Sequence, residues 1–374
     1  MSAHATEMRV EQADESNEAG LRELLRNNPL AGDIVVTLER EPNALHAAAT
    51  GGDSFNILVG YRHGQKNVVA CGARFELDAF VNGDVRRVGY LGEFRMDGGL
   101  RQRRRMLIES FTAMREAHEA GNVKLYFTTV VADNVAARRL FEAGLPGFPV
   151  YEPREEIVTL TIPVQSGARV RTRSRHIRQA SENDEDAIAT LLQRTGSEYQ
   201  FHPVWDRARL ASQTRCRGLS TQDFFLCEST GGPIGCLALW DQRGFKQTVI
   251  SGYANRLRRL RPFYNAVAPL VRRPTLPAPG SRLETTFLSH LAVAPDDEET
   301  LHALVAAACR DAAKRELDYV MLGIAKRDPV HASLCRVFSC HAYTSMLYTA
   351  FWKDGADAAA ALDQRIPRPE MAIL

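Results

Sequence analysis

Two tandem α/β units of the α+β type, each a mixed and mostly antiparallel sheet flanked by helices, are predicted by three observations on this sequence. Its 374 residues exceed the usual size of one hydrophobic core. Residues 9–25 align without a gap on residues 176–192, so that Gln12, Ala13, Glu15, Glu18, Leu24 and Leu25 recur as Gln179, Ala180, Glu182, Glu185, Leu191 and Leu192. Leu91-Gly-Glu-Phe-Arg-Met96 likewise matches Leu288-Ser-His-Leu-Ala-Val293, each read as a strand running into a loop and a long helix.

Each repeat opens with a short strand, a polar turn and an amphipathic helix whose apolar face is Leu21, Leu24 and Leu25, or Ile188, Leu191 and Leu192. In the first copy the reading continues with a strand at 8–12, helices at 16–26 and 39–49, and strands at 55–62, 68–77 and 86–96. His63-Gly64 and Asn82-Gly83-Asp84 punctuate these strands as hairpin turns. A helix at 103–120, a strand at 124–130, a helix at 134–143 and a strand at 155–162 complete an antiparallel front half and a crossover back half.

The implied division is 1–163 for the first unit, a polar aperiodic linker over 164–175, a second unit over 176–354 and a tail over 355–374. The second copy carries an insertion at about 251–280, with a helix from Tyr253 to Arg261 and an extended proline-rich loop after Arg272. That helix, with Arg256, Arg258, Arg259 and Arg261 among Leu257, Leu260 and Tyr264, reads first as a cover over the second unit and second as a dock for an acidic partner.

Lys and Arg total 47 against 45 Asp and Glu, a net charge of +2, which excludes a polycation for nucleic acid. Seven cysteines at no paired short spacing exclude a disulfide framework and a zinc or redox motif, and read as reduced and mostly buried. Met1 to Glu7 is polar, and no apolar run approaches a bilayer span, so the expectation is a cytoplasmic protein without membrane, nucleic-acid or metal partners. Homodimerisation stays open.

After the strand at 86–96 comes Met96-Asp-Gly-Gly-Leu-Arg-Gln-Arg-Arg-Arg-Met-Leu-Ile108, and later Asn134-Val-Ala-Ala-Arg-Arg-Leu-Phe-Glu-Ala-Gly144. Together with the order of elements, these segments resemble the GNAT superfamily of acyl-CoA-dependent N-acyltransferases over nearly all of both copies. The family's loop is Arg-x-x-Gly-x-Gly/Ala; here Arg104 and Met106, or Met106 and Ile108, stand at its small positions.

The resemblance implies acetyl-CoA or another acyl-CoA as cosubstrate, without metal. Phe94, Arg95 and Met96 would hold the pantetheine, and Arg101, Gln102, Arg103, Arg104, Arg105 and Met106 the phosphates. Asn134 and Phe141 would lie along the cofactor. Physically, backbone N–H groups at a helix start attract phosphate, and arginines that oppose the helix dipole there read first as an anion site and second as a solvated face. Asn134 is equally a plain N-cap. The family's proton-donating tyrosine falls on Phe141, which leaves Tyr151 or water for that task.

Glu93, flanked by Tyr90, Leu91 and Phe94, is the candidate base, on the expectation that burial raises its pKa; a structural glutamate is an equal reading. In the second copy Asp296, Asp297, Glu298 and Glu299 open the matching helix and would repel a pyrophosphate. His290 aligns with Glu93 and reads as a packed residue. The expected activity is acetyl transfer from acetyl-CoA to an amine of a small molecule or peptide, by direct attack. The alternatives are a non-catalytic acyl-CoA sensor or scaffold, and a tandem transferase using another carrier such as aminoacyl-tRNA.

Overall fold

A computed structural model describes residues 8–30, 32–172, 175–268, 270 and 274–374. The segment 1–7, linker residues 173–174, and residues 269 and 271–273 of the insertion lie outside these described residues. The first half runs β1 (Met8–Gln12), α1 (Glu18–Asn27), β2 (Ile34–Glu39), α2 (Ala44–Ala48), β3 (Ser54–Arg62), β4 (Val68–Val81), β5 (Asp84–Met96), α3 (Arg103–Glu119), β6 (Tyr126–Val131), α4 (Val135–Glu142) and β7 (Val150–Pro163). The chain then forms α5 (Val164–Gly167), β8 (His176–Gln179), α6 (Glu185–Gly196), β9 (His202–Pro203), α7 (Arg207–Ala211), β10 (Phe224–Ser229), β11 (Gly232–Trp240) and β12 (Gln247–Tyr253). It ends with α8 (Asn255–Val267), β13 (Thr285–Ala292), α9 (Glu298–Lys314), β14 (Tyr319–Ala325), α10 (Pro329–Val337), β15 (His341–Phe351) and α11 (Ala356–Ala360).

One thirteen-stranded sheet carries both halves, in the order β1-β3-β4-β5-β6-β15-β7-β14-β13-β11-β10-β8, with β9 paired to β4. The middle of this order is an exchange. β15 pairs with β6 of the first half, from Ser345 opposite Val131 to Ala350 opposite Tyr126. β7 pairs with β14 of the second half, from Tyr319 opposite Pro163 to Ala325 opposite Ile157. The two exchanged strands also pair with each other, antiparallel, from His341 opposite Thr161 to Phe351 opposite Val150. A strand so placed is covered on both faces, and the run Ile157-Val-Thr-Leu-Thr-Ile162 accordingly has its isoleucines and leucine fully buried.

A second, two-stranded sheet ties β2 to β12, from Gln247 opposite Glu39 to Tyr253 opposite Ile34. The reading of a helix over 39–49 is corrected here: Glu39 ends the strand opened by the β-branched run Ile34-Val-Val-Thr, and α2 starts only after Asn43, whose side chain accepts from the His46 N–H. The segment read as a linker begins as α5, with Val164 fully buried, and a methyl group built on Gly167 would stand 2.5 Å from Cys309 Sγ on α9. Cys71, Cys216, Cys227, Cys236 and Cys309 are buried, as the sequence suggested.

The tail after α11 is folded into the body. Arg368 Nη2 donates to the buried Asp328 at 2.6 Å and its guanidinium lies 3.5 Å from the Tyr199 ring. Gln242 Nε2 and Lys246 Nζ donate to the Ala372 carbonyl at 2.8 and 3.0 Å, and Ala372 and Ile373 are buried among residues of both halves. Glu370 accepts from the His290 N–H at 2.7 Å and the Ala372 N–H at 3.3 Å.

Burial outweighs those hydrogen bonds and pushes the Glu370 carboxyl from 4.5 up to about 7. A raised carboxyl means that the native chain binds the proton more tightly than the unfolded one. This group's contribution to stability therefore falls as pH rises from about 4.5 to about 7 and is constant above. Glu370→Gln keeps the acceptor for His290 and removes that fall. Urea midpoints across this interval are expected to rise for the variant relative to wild type; parallel curves would mean that the carboxyl is not held as described.

Candidate active site

β5 and β13 share an uncommon device. Glu93 and His290 both hold φ of +52°, in the left-handed region that side chains other than glycine seldom occupy. Around each the ladder bulges: Cys71 faces Arg95 while Ala73 faces Gly92, and Cys236 faces Ala292 while Ala238 faces Ser289. Just before each bulge the strand begins to part from its parallel neighbour. β5 pairs with β6 only at Gly89 and Tyr90, and β13 with β14 only from Thr285 to Phe287. Two clefts of the same design result, each bordered by strand edge that its parallel neighbour leaves unpaired.

The clefts differ in content. In the second half the tail lies at the bulge and its neighbouring strand: Glu370 accepts from the bulged His290, and a methyl group built on Gly323 would stand 2.1 Å from Met371 Cγ. His290 itself is a core residue, fully buried, with Trp205 at 4.3 Å between ring centroids, and burial pushes its imidazole down to about 3. That agrees with the packed reading. In the first half the equivalent bulge carries Glu93, whose side chain keeps 21% of its surface exposed.

The helices that follow the clefts differ in charge. α9 is capped by Asp297, whose carboxylate accepts from the Thr300 N–H at 3.1 Å, and begins with Glu298 and Glu299. α3 begins with Arg103, Arg104 and Arg105, and no side chain caps it. Arg101 to Arg104 are exposed, Gln102 included, and Arg103 donates to the Gly98 carbonyl at 3.0 Å, bracing the loop. Gly98 N–H is held by Asn28 at 3.2 Å. Met106 is corrected from the cofactor set. It is fully buried, a methyl group on Gly60 would stand 2.5 Å from its Sδ, and its N–H already bonds the Gln102 carbonyl at 3.1 Å.

Glu93 lines a recess with Leu21, Leu25, Arg40, Ala44, Ala48, Ile57 and Cys71. Arg40 Nη2 donates to it at 2.7 Å. Burial works to raise the carboxyl, but Arg40 and then Arg95 outweigh it and hold Glu93 at about 2. The expected upward shift is therefore reversed, and by a partner that sequence alone did not nominate. Sequence reasoning also missed Lys246. It sits in the β11–β12 connection, within electrostatic reach of Glu93 and Arg40, and burial followed by repulsion from Arg40 pushes its ammonium down to about 7.

Phe94 turns to the other side of β5, 6.2 Å from Phe111 on α3, which stacks on Phe148 at 4.0 Å. Phe94, Arg95 and Met96 are all half-buried. Arg95 donates to the Phe94 carbonyl at 2.9 Å. Tyr151 stacks on Phe141 at 4.4 Å and is buried in the cluster of Phe111 and Tyr348, against which the half-buried Phe141 packs. Burial raises its phenol, so it holds its proton more firmly than a free tyrosine and is a weak acid for a departing thiolate. Asn134 caps α4 by accepting from the Ala137 N–H at 3.2 Å, which matches the plain-cap reading.

No protein-family profile and no curated protein matches the chain. Solved structures do. N-myristoyltransferase of Saccharomyces cerevisiae with bound myristoyl-CoA superposes with a TM-score of 0.59 at 11% identity, over 94% of this chain and 84% of that one. A further structure of that enzyme with bound myristoyl-CoA gives 0.61 at 11% identity, over 94% and 80%. A GCN5-related glucosamine N-acetyltransferase region of a fungal multi-domain β-N-acetylglucosaminidase gives 0.60 at 10% identity; it involves 93% of this chain, which spans 38% of that one. At these identities the likeness is one of fold, and the fold is the mixed α/β GNAT type.

Proposed function

We propose that the chain is an acyl-CoA-dependent N-acyltransferase working from the first-half cleft, with transfer of an acetyl group to an amine as its simplest reaction. The observation that carries the reading is the asymmetry of two clefts of one design. One holds the tail and precedes a helix with acidic capping; the other precedes an uncapped helix that opens on three arginines. A pyrophosphate suits the α3 start through its N–H groups and through Arg101, Arg103, Arg104 and Arg105. The β5 edge from Phe94 to Met96 suits the amides of a pantetheine arm. That structures of two N-acyltransferases share the fold supports the same chemistry by analogy.

In this reading the amine nitrogen attacks the thioester carbonyl carbon, the carbon–sulfur bond breaks, and coenzyme A leaves as thiolate, the nitrogen giving its surplus proton to solvent and the thiolate taking one from it. The ammonium must first lose a proton. Glu93, held at about 2, is ionised throughout and too weak a base to accept it, so its role is to hold the incoming ammonium beside Arg40. Lys246, at about 7, is the nearby group with a proton affinity suited to neutral pH and is the proposed acceptor.

The test is release of free thiol from acetyl-CoA over a panel of small-molecule and peptide amines. Lys246→Met is expected to lower kcat by roughly a hundredfold or more and to erase a rate limb that rises through pH of about 7, with acyl-CoA affinity kept. Glu93→Gln is expected to raise the KM for the amine more than it lowers kcat. Tight binding of acetyl-CoA with no thiol released by any amine would leave the protein a sensor or scaffold.

A further inference from the structure

The insertion helix α8 is built inside out. Its inner face is tied by polar groups to the loop behind it: Arg261 Nε donates to the Leu276 carbonyl at 2.9 Å, Asn265 exchanges hydrogen bonds with Leu276 at 2.9 and 2.8 Å, and Tyr264 donates to the Pro274 carbonyl at 3.3 Å. Arg261 also lies 5.7 Å from the Tyr253 ring. Apart from the half-buried Leu257, the large apolar side chains are on the opposite face. Leu260, Phe263, Val267 and Leu270 are 50%, 75%, 52% and 81% exposed, and no residue of α8 is buried. The reading of this helix as a cover is thereby corrected, because its apolar stripe faces away from the body.

Positions 256, 259, 260, 263 and 267 recur at helical spacing, so Arg256 and Arg259 continue the same stripe toward the N-terminus, and the exposed Leu270 follows past the helix end. The helix contains four arginines and neither aspartate nor glutamate. Arg256, Arg258 and Arg259 are exposed, and Arg256 and Arg259 flank the apolar side chains. We propose that this face docks on an anionic membrane surface, with α8 lying in the interface plane. The charge calls for an anionic partner, and a fluid anionic headgroup layer meets a single convex helix of about 20 Å without a preformed groove. Phe263, Leu260, Val267 and Leu270 would enter the acyl boundary while the arginines meet the headgroup charge. No helix among the described residues is long and apolar enough to cross a bilayer, so the contact is peripheral. This inference is independent of the acyl-transfer reading.

The experiment is flotation of the full-length protein with vesicles of phosphatidylcholine alone and of phosphatidylcholine mixed with phosphatidylglycerol, at low and high salt. Binding is expected to the mixed vesicles only and to weaken with salt. Arg256→Glu/Arg259→Glu and Phe263→Glu/Leu270→Glu should each lower the partition coefficient at least about tenfold without moving the melting temperature, because all four side chains are exposed. Val85→Glu, at an exposed apolar residue elsewhere, should change nothing. Equal partition into both kinds of vesicle, no partition at all, or unchanged binding by the variants overturns the proposal. A concentration-dependent dimer in sedimentation velocity that Phe263→Glu/Leu270→Glu abolishes also overturns it and assigns the face to a second copy.

Discussion

A chain cut after Gln165 is expected not to fold, although it contains the whole first repeat and the proposed cofactor site. Without residues 166–374, β6 loses β15 along one edge, and β7 loses β14 on one side and β15 on the other. Nothing in the first half replaces them, since β6 and β7 do not pair with each other. Ile157, Leu160 and Ile162, fully buried in the intact chain, would stand in water. At about 1.5–3 kcal/mol for each such side chain, those three alone forfeit an amount comparable with the about 5–15 kcal/mol that stabilises a typical protein. The expected result is a fragment without a cooperative melt that aggregates through its bare edges. Supplying residues 166–374 as a separate chain should restore a cooperative transition, because the exchanged strands can still meet. A cooperative melt and coenzyme A binding from residues 1–165 alone would refute this account of the exchange.

Why this was invisible in the sequence is instructive. The repeat of Gln12 to Leu25 in Gln179 to Leu192 announces two copies, and the alternation and turns place most strands of the first copy within a few residues. Pairing partners carry no such local mark. The residues of β7 are apolar enough for a central strand, but nothing in them names β14 and β15 as neighbours. The strand β2 is marked by its β-branched residues Ile34 to Thr37, to which the sequence reading assigns no element, and the helix read from Glu39 runs across Pro42, which favours a break.

The candidate site divides in the same way. Charge at the two helix starts is a local property, so the contrast between Arg103–Arg105 and Asp296–Glu299 could be read directly from the chain. The state of Glu93 is not local. Its apolar neighbours suggested a raised carboxyl, whereas the deciding group, Arg40, stands on the far side of two strands and a helix in sequence and 2.7 Å away in space. Lys246 gave no signal beyond being a lysine. For α8 the periodicity was plain but its direction was not. Only the ties of Arg261, Tyr264 and Asn265 to the loop behind reveal which face is turned outward.

Reversing charge at the start of α3 is expected to remove coenzyme A binding while leaving the fold as stable as before, or slightly more so. The two effects have opposite signs, which is what makes the experiment decisive. Glutamate in the first turn of a helix suits its dipole by about 0.3–1 kcal/mol per residue, whereas arginine opposes it. If the arginines served only as a solvated surface, Arg104→Glu would therefore be neutral to stabilising and otherwise silent. Among the described residues no ion pair or hydrogen bond engages the Arg104 side chain, so its loss breaks no contact of the free protein.

A hydrogen bond to a charged group contributes about 1.5–3 kcal/mol. Replacing two such donors by like charges in Arg103→Glu/Arg104→Glu should thus weaken coenzyme A by roughly a hundredfold or more in calorimetry. Arg104→Glu alone serves as the variant that leaves the Arg103 brace on Gly98 in place. The reciprocal change, Asp296→Arg in the second half, should not create a site, because Glu370 and Met371 still stand at that cleft. Unchanged affinity in the α3 variants would remove the phosphate from this helix, and with it the observation on which the proposed activity rests.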